Sequence, residues 1–559
     1  MEHTKWYKDA IVYQIYPRSF CDSNGDGMGD IKGIISKLDY LKELGINAIW
    51  LSPVYDSPQK DNGYDIANYR DIYPPFGNLD DMKELIKGAH DRGIKIIMDL
   101  VVNHTSDQHQ WFQEALKNPS SKYRDYYYFK KGKKNGKKPP NNWSGFFGEK
   151  AWQKVPGEDN YYLRLFAKEQ PDLNWENPMV RQEVIDILRY WLDMGVDGFR
   201  CDVITLISKK QDFKNRFPTP ILCGKDAFVN GPRLHEYLHL LYEKAYADYD
   251  TMTVGETVMS TLEQARELVD PNKEELDMVF NFDHTDVDNY LGVKYIYRKF
   301  KPKNLQKAFT KWQHGLFNRG WNSLFIENHD QRRSVGRFGT SEDEAYRKVG
   351  SKMLATTYFL LQGTPFIYQG QEIGMKNADF TDLSDFKDVE IHNMYALGKK
   401  NKLIGLLINK HMKEVSRDNA RTPMQWDDSV HGGFSTSEPW IKVNKNKDYI
   451  NVKESLEDKD SIFHYYQKLI AFRKGNEVIK EGKYIPLIKN NRHFLAYERE
   501  YNGNKLLVIS SFSQKEKKNP LKKLIEKEGY KLVLSNYDIN LDNFKAYETR
   551  VYQLNSSKE

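Results

Sequence analysis

Three acidic residues of this 559-residue chain each end a short, apolar, strand-like run. They are Asp202, Glu256 and Asp330. Hydrolysis of a glycosidic bond with retained configuration uses one carboxylate as nucleophile and a second carboxyl group, about 5 Å away, as acid and base. A single acid in such a place is more often an ordinary loop residue, but the three together predict hydrolysis of a glycosidic bond.

Asp202 and Glu256 suit the two main roles because they end runs that we predict to be neighbouring strands, about 4.8 Å apart. Arg200 lies two positions before Asp202, so its side chain points to the same side of the strand. We expect its guanidinium group to keep Asp202 ionised. We expect like-charge repulsion from Asp202 and Asp330 to raise the pKa of Glu256, so that it can donate a proton.

Further polar residues lie just beyond predicted strands, where they can reach the same site. His104 follows the third strand and His329 directly precedes Asp330, so both can donate hydrogen bonds to sugar hydroxyls. Asp61 and Tyr64 follow the second strand and offer an acid and an aromatic face for stacking. The alternatives are structural or solvent-facing histidines and a plain Asn-Gly turn between Asp61 and Tyr64.

The segment 22–30 has oxygen-bearing residues at alternate positions, which hard cations such as Ca²⁺ prefer. Its candidate ligands are Asp22, Asn24, Asp26, Met28 and Asp30. The spacing resembles the first half of an EF-hand loop, although Gly33 stands where that loop has a bidentate Glu. We expect a structural Ca²⁺ site; the alternative is a flexible Asp/Gly turn.

Eight β-rich runs, mostly separated by helical patterns, predict the architecture. They cover residues 11–17, 46–51, 95–102, 198–204, 251–256, 278–282, 323–326 and 365–368. The run at 95–102 is nearly all apolar, as in a parallel strand that is buried on both faces. Eight βα units close into a (β/α)8 TIM barrel, whose active sites lie at the carboxyl ends of the strands.

Two segments interrupt this pattern. Residues 105–172 are rich in Tyr, Trp, Gly, Asn and Lys and are too long for an ordinary loop, so we expect an inserted subdomain after strand three. Residues 481–559 carry strand-like runs between Lys- and Asn-rich turns, which predicts a C-terminal antiparallel β-sandwich domain. Residues 1–104 and 173–480 then form the catalytic barrel.

Composition limits the partners. The net charge of +6, with a pI near 8.6, is mild for this length and predicts no nucleic-acid partner. No apolar run reaches about 18 residues, so we expect neither a signal peptide nor a membrane span. Three cysteines, Cys21, Cys201 and Cys223, make no disulfide framework. We expect a cytoplasmic monomer or weak dimer that acts on a small oligosaccharide.

Several of these segments together resemble the α-amylase superfamily of glycoside hydrolases, and within it the oligo-1,6-glucosidase group, over essentially the whole length. The matching motifs are DLVVNH at 99–104, QPDLNW at 170–175, GFRCD at 198–202, GE at 255–256, ENHD at 327–330 and SRDNARTPMQW at 416–426. The resemblance implies Asp202 as nucleophile, Glu256 as acid/base and Asp330 as stabiliser of the transition state. It also implies that the segment 105–172 forms one wall of the active site and that the segment 22–30 is a calcium loop.

The resemblance further implies a pocket for one terminal glucose. Its lining residues would be Asp61, Tyr64, His104, Arg200, His329 and Arg417. An ion pair between Asp61 and Arg417 would close the pocket and make the enzyme exo-acting. Val203 follows the nucleophile, as in relatives that prefer α-1,6 bonds, so we expect hydrolysis of terminal α-1,6-linked glucose from isomaltose and short isomalto-oligosaccharides.

Other functions stay open at this point. Trehalose-6-phosphate hydrolases can also carry Val at this position, and maltase-type α-1,4-glucosidases and sucrose isomerases use the same covalent intermediate. A non-catalytic amylase-fold protein is a remote alternative, because all three acids are present. The chain departs from the family at Arg332, where Pro is usual, and at Cys201, where Met or Ile is commoner. We expect Arg332 to alter the outer subsite and with it the leaving-group preference.

Overall fold

The structure is a computed structural model, which describes residues 4–219, 222–290, 293–338, 343–400, 405, 411–538 and 542–555. Eight parallel strands form the central sheet: β1 (Val12–Ile15), β2 (Ala48–Leu51), β3 (Lys95–Leu100), β4 (Gly198–Cys201), β5 (Met252–Glu256), β6 (Met278–Phe280), β7 (Ser323–Leu324) and β8 (Thr364–Tyr368). They pair in the order β6-β5-β4-β3-β2-β1-β8-β7, and a parallel bridge between Val279 and Asn322 joins the two edges. The predicted (β/α)8 barrel is confirmed.

Side chains on these strands alternate between the barrel interior and the surrounding helices. On β2, for example, Ala48 and Trp50 belong to the interior cluster, whereas Ile49 and Leu51 belong to the large core that includes the helices. The interior cluster includes Val12, Ala48, Trp50, Ile97, Met252, Val254, Met278, Phe280, Phe325 and Phe366. The barrel is therefore a packed core, so a substrate can only bind at one of its ends.

Helices connect the strands on the outside of the barrel. The main ones are Ile31–Ser36 and Leu38–Leu44 after β1, Leu79–His90 after β2, Pro178–Asp193 after β3, Leu234–Leu241 after β4, Leu262–Leu268 after β5, Pro302–Leu316 after β6, Glu344–Phe359 after β7, and Val389–Lys400 and Ile462–Arg473 after β8. Shorter helices include Lys225–Phe228, Ser334–Arg337, Met412–Val415, Asp418–Arg421, Val452–Glu457 and Glu477–Glu481. Every helix in the described residues is too short or too polar to cross a bilayer.

The connection after β3 contains a small sheet of its own. Its elements are the helix Gln110–Lys117 and the antiparallel strands Phe129–Lys131, Trp152–Lys154 and Asn160–Leu163, with the last strand in the middle. Trp143 and Trp152 from this segment share an apolar cluster with Val203 and Leu206, which directly follow β4. The inserted segment therefore packs against the backbone that carries Asp202.

The C-terminal part is a five-stranded antiparallel sheet. Its strands are β9 (Lys483–Leu487), β10 (Phe494–Tyr501), β11 (Asn504–Ser511), β12 (Lys531–Ser535) and β13 (Thr549–Leu554). They pair in the order β9-β10-β11-β13-β12. A short two-stranded ribbon, Lys517–Lys518 with Asn543–Phe544, and a helix, Lys522–Glu528, complete this part. The sheet is attached to the barrel helices by buried hydrogen bonds. Arg499 Nη1 donates to Gln313 Oε1 at 2.7 Å, and Tyr497 Oη donates to the Thr357 carbonyl at 3.1 Å.

A buried ion pair holds the inserted segment to the barrel. Lys209 Nζ lies 2.9 Å from Asp172 Oδ2, and both side chains are fully inaccessible to solvent. The same ammonium group donates to Asn103 Oδ1 at 3.0 Å and to the Leu206 carbonyl at 2.8 Å. Removing one partner of such a pair leaves an uncompensated buried charge, which costs about 3–5 kcal/mol.

We therefore expect Lys209→Met to lower the free energy of unfolding by about 3–5 kcal/mol, measured by urea titration. The neighbouring Lys210 is exposed and lies 3.7 Å from the exposed Asp226, so Lys210→Met is a matched control. Its effect should stay within about 0.5 kcal/mol. Equal unfolding midpoints for the two variants would contradict the structural importance of the buried pair.

Candidate active site

The three acids predicted from the sequence lie at the carboxyl end of the barrel. Asp202 directly follows β4, and its backbone N–H donates to the Leu100 carbonyl at the end of β3 at 2.9 Å. Glu256 is the last residue of β5, which pairs with β4 through Gly255 and Cys201. Asp330 stands in the connection after β7. The predicted neighbouring strands are therefore real neighbours, and they bring Asp202 and Glu256 to the same edge.

One guanidinium group connects the two acids. Arg200 Nη1 lies 2.5 Å from Asp202 Oδ1, and Arg200 Nη2 lies 2.7 Å from Glu256 Oε2. Arg200 Nη1 also contacts Asp99 Oδ1 at 2.7 Å. Because both acids bind the same planar group, their carboxyl groups are close together, as a retaining mechanism requires. Asp99 was not predicted as a site residue, although it begins the motif at 99–104.

The pKa values of the two acids differ from the expectation in one respect. Burial raises the pKa of Asp202 to about 7, although Arg200 acts in the opposite direction. Arg200 was expected to keep Asp202 ionised, but its charge does not offset the effect of burial on the pKa of Asp202, because three carboxylates share this cation. Burial likewise raises the pKa of Glu256 to about 7, and the charges of Asp202 and Asp330 add to that effect, as expected.

The pKa of Asp330 is lowered, whereas the pKa values of Asp202 and Glu256 are raised. Burial acts to raise its pKa, but the guanidinium groups of Arg417 and Arg421 hold that pKa well below its usual range. Arg421 Nη2 donates to Asp330 Oδ1 at 2.7 Å, and Arg417 Nη1 lies 3.5 Å from the same oxygen. Asp330 is therefore a permanent negative charge at neutral pH. Arg421, which lies inside the motif at 416–426, was not predicted as a site residue.

Val203 has a strained backbone. Its φ and ψ angles are 34° and 39°, in the left-handed region that β-branched residues rarely occupy. In this conformation its N–H donates to Glu256 Oε2 at 3.0 Å. Backbone strain of this kind costs of order 1–3 kcal/mol and occurs preferentially at functional sites. The strained turn therefore places the N–H of Val203, the residue after Asp202, where it holds the Glu256 carboxyl group in position.

Tyr64 and His329 form a stacked pair beside Asp99. Their ring centres are 5.4 Å apart with an interplanar angle of 8°. Gln14 Nε2 lies 2.8 Å from His329 Nδ1, so the amide donates there and the ring proton sits on Nε2. That proton points to Tyr64 Oη at 2.8 Å, and Tyr64 Oη donates to Asp99 Oδ2 at 3.1 Å. Burial lowers the pKa of His329 to about 3, so it stays neutral.

His104 contacts the backbone of Tyr64. Asn103 Nδ2 donates to His104 Nδ1 at 3.1 Å, so the proton sits on Nε2, which donates to the Tyr64 carbonyl at 3.0 Å. Gln170 Nε2, from the inserted segment, donates to Asp61 Oδ2 at 3.2 Å. Burial lowers the pKa of His104 to about 4, so this histidine is neutral too. Gln170 was missed as a site residue, although it begins the motif at 170–175.

Arg417 closes one end of the site. Its Nη2 lies 3.2 Å from Asp61 Oδ1, so the predicted pair is present. Its stronger partner is Asp388, which accepts from Nη2 at 2.7 Å and from Nε at 3.1 Å. The Phe147 ring of the inserted segment lies 5.6 Å from the guanidinium carbon. No sequence signal pointed to Asp388, because it precedes a helix far from any recognised motif.

The loop at 22–30 uses its side-chain oxygens for backbone hydrogen bonds. Asp22 Oδ1 accepts from the N–H groups of Asn24 and Gly25, and Asp22 Oδ2 accepts from Ser435 Oγ at 2.6 Å. Asp30 accepts from the N–H groups of Ser23 and Gly33. Across the described chain, no three Asp, Glu, His or Cys side chains converge as they would around a metal ion. The Ca²⁺ site stays a prediction.

Comparison with known proteins agrees with this geometry. Residues 14–482 match the family of the α-amylase catalytic domain. The oligo-1,6-glucosidase of Bacillus cereus is 48% identical over 98% of this chain and 99% of its own. The trehalose-6-phosphate hydrolase of Bacillus subtilis is 45% identical over 99% of each chain.

Solved structures lead to the same family. The crystal structure of trehalose-6-phosphate hydrolase from Bacillus licheniformis superposes with a TM-score of 0.91 at 45% identity, over 98% of this chain and 99% of that one. The isomaltulose synthase of Protaminobacter rubrum gives a TM-score of 0.93 at 37% identity, over 99% and 100%. With three carboxylates around a shared arginine at the barrel end, this chain belongs to the α-amylase family of glycoside hydrolases.

Proposed function

We propose that the protein is a retaining exo-α-glucosidase that releases the non-reducing terminal glucose of isomaltose and short isomalto-oligosaccharides. The observation that carries the proposal is the bridge that Arg200 makes between Asp202 and Glu256. Two carboxyl groups that bind one guanidinium group are held on the same side of the site, which supports the short separation that a retaining enzyme needs. The names of relatives at 48% and 45% identity, an oligo-1,6-glucosidase and a trehalose-6-phosphate hydrolase, support an exo-acting glucosidase.

In this mechanism Asp202 attacks the anomeric carbon while Glu256 donates its proton to the leaving glycosidic oxygen. A covalent glucosyl ester forms on Asp202, and the leaving sugar departs. Glu256, now ionised, takes a proton from a water molecule, and that water displaces Asp202 to release glucose with retained configuration. Asp330, which is ionised throughout, stabilises the positive charge of the oxocarbenium-like transition states.

Exo action follows from the closed end of the pocket. Arg417 binds Asp61 and Asp388 together, and the Phe147 ring covers the guanidinium group. A glucan chain cannot pass this buried cluster, so only a terminal sugar fits between it and the catalytic acids. The buried carboxylates of the cluster can accept hydrogen bonds from the hydroxyl groups of that sugar.

The α-1,6 preference rests on Val203 and on the ion pair between Lys294 and Glu390. Val203 has a branched side chain next to the nucleophile, and such steric differences discriminate by about 1–3 kcal/mol. Lys294 is a candidate to bind the phosphate of trehalose-6-phosphate, but its Nζ already lies 2.6 Å from Glu390 Oε2. A phosphate would have to compete with this carboxylate, which favours the uncharged disaccharide.

Initial rates of glucose release from isomaltose, maltose and trehalose-6-phosphate test this assignment. We expect isomaltose to have the highest kcat/KM, about 10–200-fold above maltose, the range of a single steric discrimination. Asp202→Asn serves as the inactive control. Fastest turnover of trehalose-6-phosphate would contradict the substrate assignment but keep the catalytic acids.

The dependence of kcat/KM on pH tests whether Asp202 and Glu256 share one proton. The pKa values of Asp202 and Glu256 both lie near 7, and such a close pair titrates as a unit. Catalysis needs one proton on the pair, so kcat/KM for isomaltose should be bell-shaped with a maximum near neutral pH. Below the maximum both acids are protonated and the nucleophile is lost; above it the proton donor is lost.

Glu256→Gln should lower kcat/KM for isomaltose by about 10²–10⁴-fold. With p-nitrophenyl α-glucoside, whose leaving group needs little protonation, this variant should lose its alkaline limb. Its acid limb should move to lower pH, because removal of a neighbouring negative charge lowers the pKa of Asp202. An unchanged alkaline limb would mean that another group donates the proton.

We also propose that the loop at 22–30 binds Ca²⁺ in a structural role. The oxygen donors of Asp22, Asn24, Asp26 and Asp30 and the Met28 carbonyl are hard ligands within one short loop, which supports this metal. Hydrogen bonds from Ser435 and from backbone N–H groups lower the pKa of Asp22 against the effect of burial, so it is an anion at neutral pH.

The purified protein should melt at a higher temperature in Ca²⁺ than in excess chelator. At a Ca²⁺ concentration of a hundred times Kd, binding should add about 2.7 kcal/mol to the free energy of unfolding. Asp26→Ala should abolish that shift and leave the melting temperature in chelator unchanged. Identical melting curves for the wild type with Ca²⁺ and with chelator would contradict the proposal.

We propose a cytoplasmic monomer or weak dimer. The three thiols, Cys21, Cys201 and Cys223, are free and buried, which supports folding in a reducing compartment. Sedimentation velocity at micromolar concentration would distinguish the two assembly states.

A further inference from the structure

Asn103 is a buried amide that lies between an ion pair and a histidine. Its Oδ1 accepts from Lys209 Nζ at 3.0 Å. Its Nδ2 donates to Asp172 Oδ2 at 3.3 Å and to His104 Nδ1 at 3.1 Å. All four residues are at most 1% exposed, so their hydrogen-bond partners come from the protein itself.

The ion pair decides which way the amide of Asn103 is turned. A rotation of an amide by 180° keeps its shape but exchanges its donor and its acceptor. The ammonium group of Lys209 only donates, so it requires the oxygen of Asn103, and the carboxylate of Asp172 only accepts, so it requires the nitrogen. The remaining N–H of the amide therefore points to His104.

This orientation confines the proton of His104 to Nε2. Because Nδ1 accepts from Asn103, Nε2 carries the proton and donates to the Tyr64 carbonyl at 3.0 Å. Gln170 Nε2 lies 3.1 Å from the same ring nitrogen and would donate to it in the other tautomer. With that tautomer excluded, the Gln170 amide donates to Asp61 Oδ2 and to the Tyr64 carbonyl, both at 3.2 Å.

The tautomer of His104 in turn holds the segment 61–65. The Tyr64 carbonyl receives two hydrogen bonds, one from His104 and one from Gln170. In the opposite tautomer a lone pair of His104 Nε2 would face the carbonyl oxygen at 3.0 Å, and two acceptors at that distance repel each other. Gln170 would also turn its N–H from Asp61 to the histidine, so Asp61 would lose a partner.

We propose that Asn103 is a positioning residue for the terminal sugar, whose amide fixes the Nε2–H tautomer of His104 and thereby holds the segment 61–65. The ion pair of Lys209 and Asp172 sets the orientation of that amide. The inference rests on the proposed function, because it takes the segment 61–65 to bind the terminal glucose. Asn103 acts through His104 and takes no part in bond cleavage.

Nuclear magnetic resonance of the protein labelled with ¹⁵N-histidine reads the tautomer directly. Couplings between the ring nitrogens and the carbon-bound ring protons show which nitrogen carries the proton, and loss of a signal in His104→Gln identifies His104. We expect the proton on Nε2 in the wild type. In Asn103→Asp, which keeps the shape of the side chain but only accepts, Nδ1 should carry a proton.

Asn103→Asp should also make glucose binding depend on pH. Burial lowers the pKa of His104 to about 4, and the charges of Asp172 and Lys209 act on it in opposite directions. The new carboxylate should raise this pKa. Above the raised pKa the neutral ring has lost its Nε2 proton, so the inhibition constant Ki of glucose should exceed that of the wild type by about tenfold, the effect of one lost hydrogen bond.

Below the raised pKa the imidazolium ring regains the Nε2 proton, so the ratio of the two Ki values should fall towards one. This ratio cancels the titration of the catalytic acids, which the wild type and Asn103→Asp share. Above that pKa, KM for isomaltose should rise by the same factor as Ki, with a smaller change in kcat, because only the terminal-sugar pocket is altered.

Two further variants separate charge from hydrogen bonding. Asn103→Ala removes the donor without adding a charge, so both tautomers of His104 should appear and the Ki ratio should be raised equally at every pH. Asn68→Asp is the charge-matched control, because Asn68 is exposed and its Oδ1 accepts from the Arg70 N–H, as a carboxylate also can. Its Ki and KM should equal those of the wild type.

Four results would overturn the proposal. The first is a proton on Nδ1 of His104 in the wild type. The second is a neutral Nε2–H ring in Asn103→Asp, and the third is a Ki for glucose that is the same in this variant and in the wild type at every pH. The fourth is a lower melting temperature of Asn103→Asp with unchanged Ki and KM, which would show that Asn103 only stabilises the fold.

The proposed function can fail separately. If the wild type hydrolyses another disaccharide faster than isomaltose, the tautomer of His104 and the Ki for glucose still test the role of Asn103, because neither depends on the second sugar. If Asn103→Asp does not fold, the spectrum of the wild type and the Ki of Asn103→Ala decide the question.

Discussion

The guanidinium group of Arg200 is the interaction on which the site depends. It binds Asp99, Asp202 and Glu256 within 2.7 Å, and its side chain is only 3% exposed. Three carboxylates cannot be buried together without a cation, because each ion loses its hydration and repels the others. Since β3, β4 and β5 deliver these groups side by side, the parallel register of the barrel is what makes the shared cation possible.

Charge is divided unequally around this centre, and the division suits the chemistry. Asp202 and Glu256 share one arginine, and burial brings their pKa values close to neutrality. Asp330 has two arginines, Arg417 and Arg421, and its pKa lies well below the usual range. The first pair can therefore exchange a proton near pH 7, while the third acid remains an anion. Neutral histidines beside them orient hydrogen bonds without adding charge.

Much of the fold was predictable from local pattern. All eight barrel strands lie within the apolar runs predicted for them or begin one residue earlier, as β8 does, because strands buried on both faces need continuous apolar sequence. The acids at strand ends were predictable for the same reason, since the pattern marks where each strand stops. The partners of Arg417 were only half predicted: Asp61 follows a strand, whereas Asp388 precedes a helix and carries no periodic signal.

The sequence by itself determined the barrel, the order of its strands along the chain and the identity of the acids, because hydrophobic periodicity and residue type are local properties. Only the tertiary structure decided which charges meet. The contacts of Arg200 with Asp99 and Glu256 and the contact of Arg421 with Asp330 join residues that are distant along the chain. Protonation depends on such distances and on the exclusion of water, and both arise only when the chain is packed.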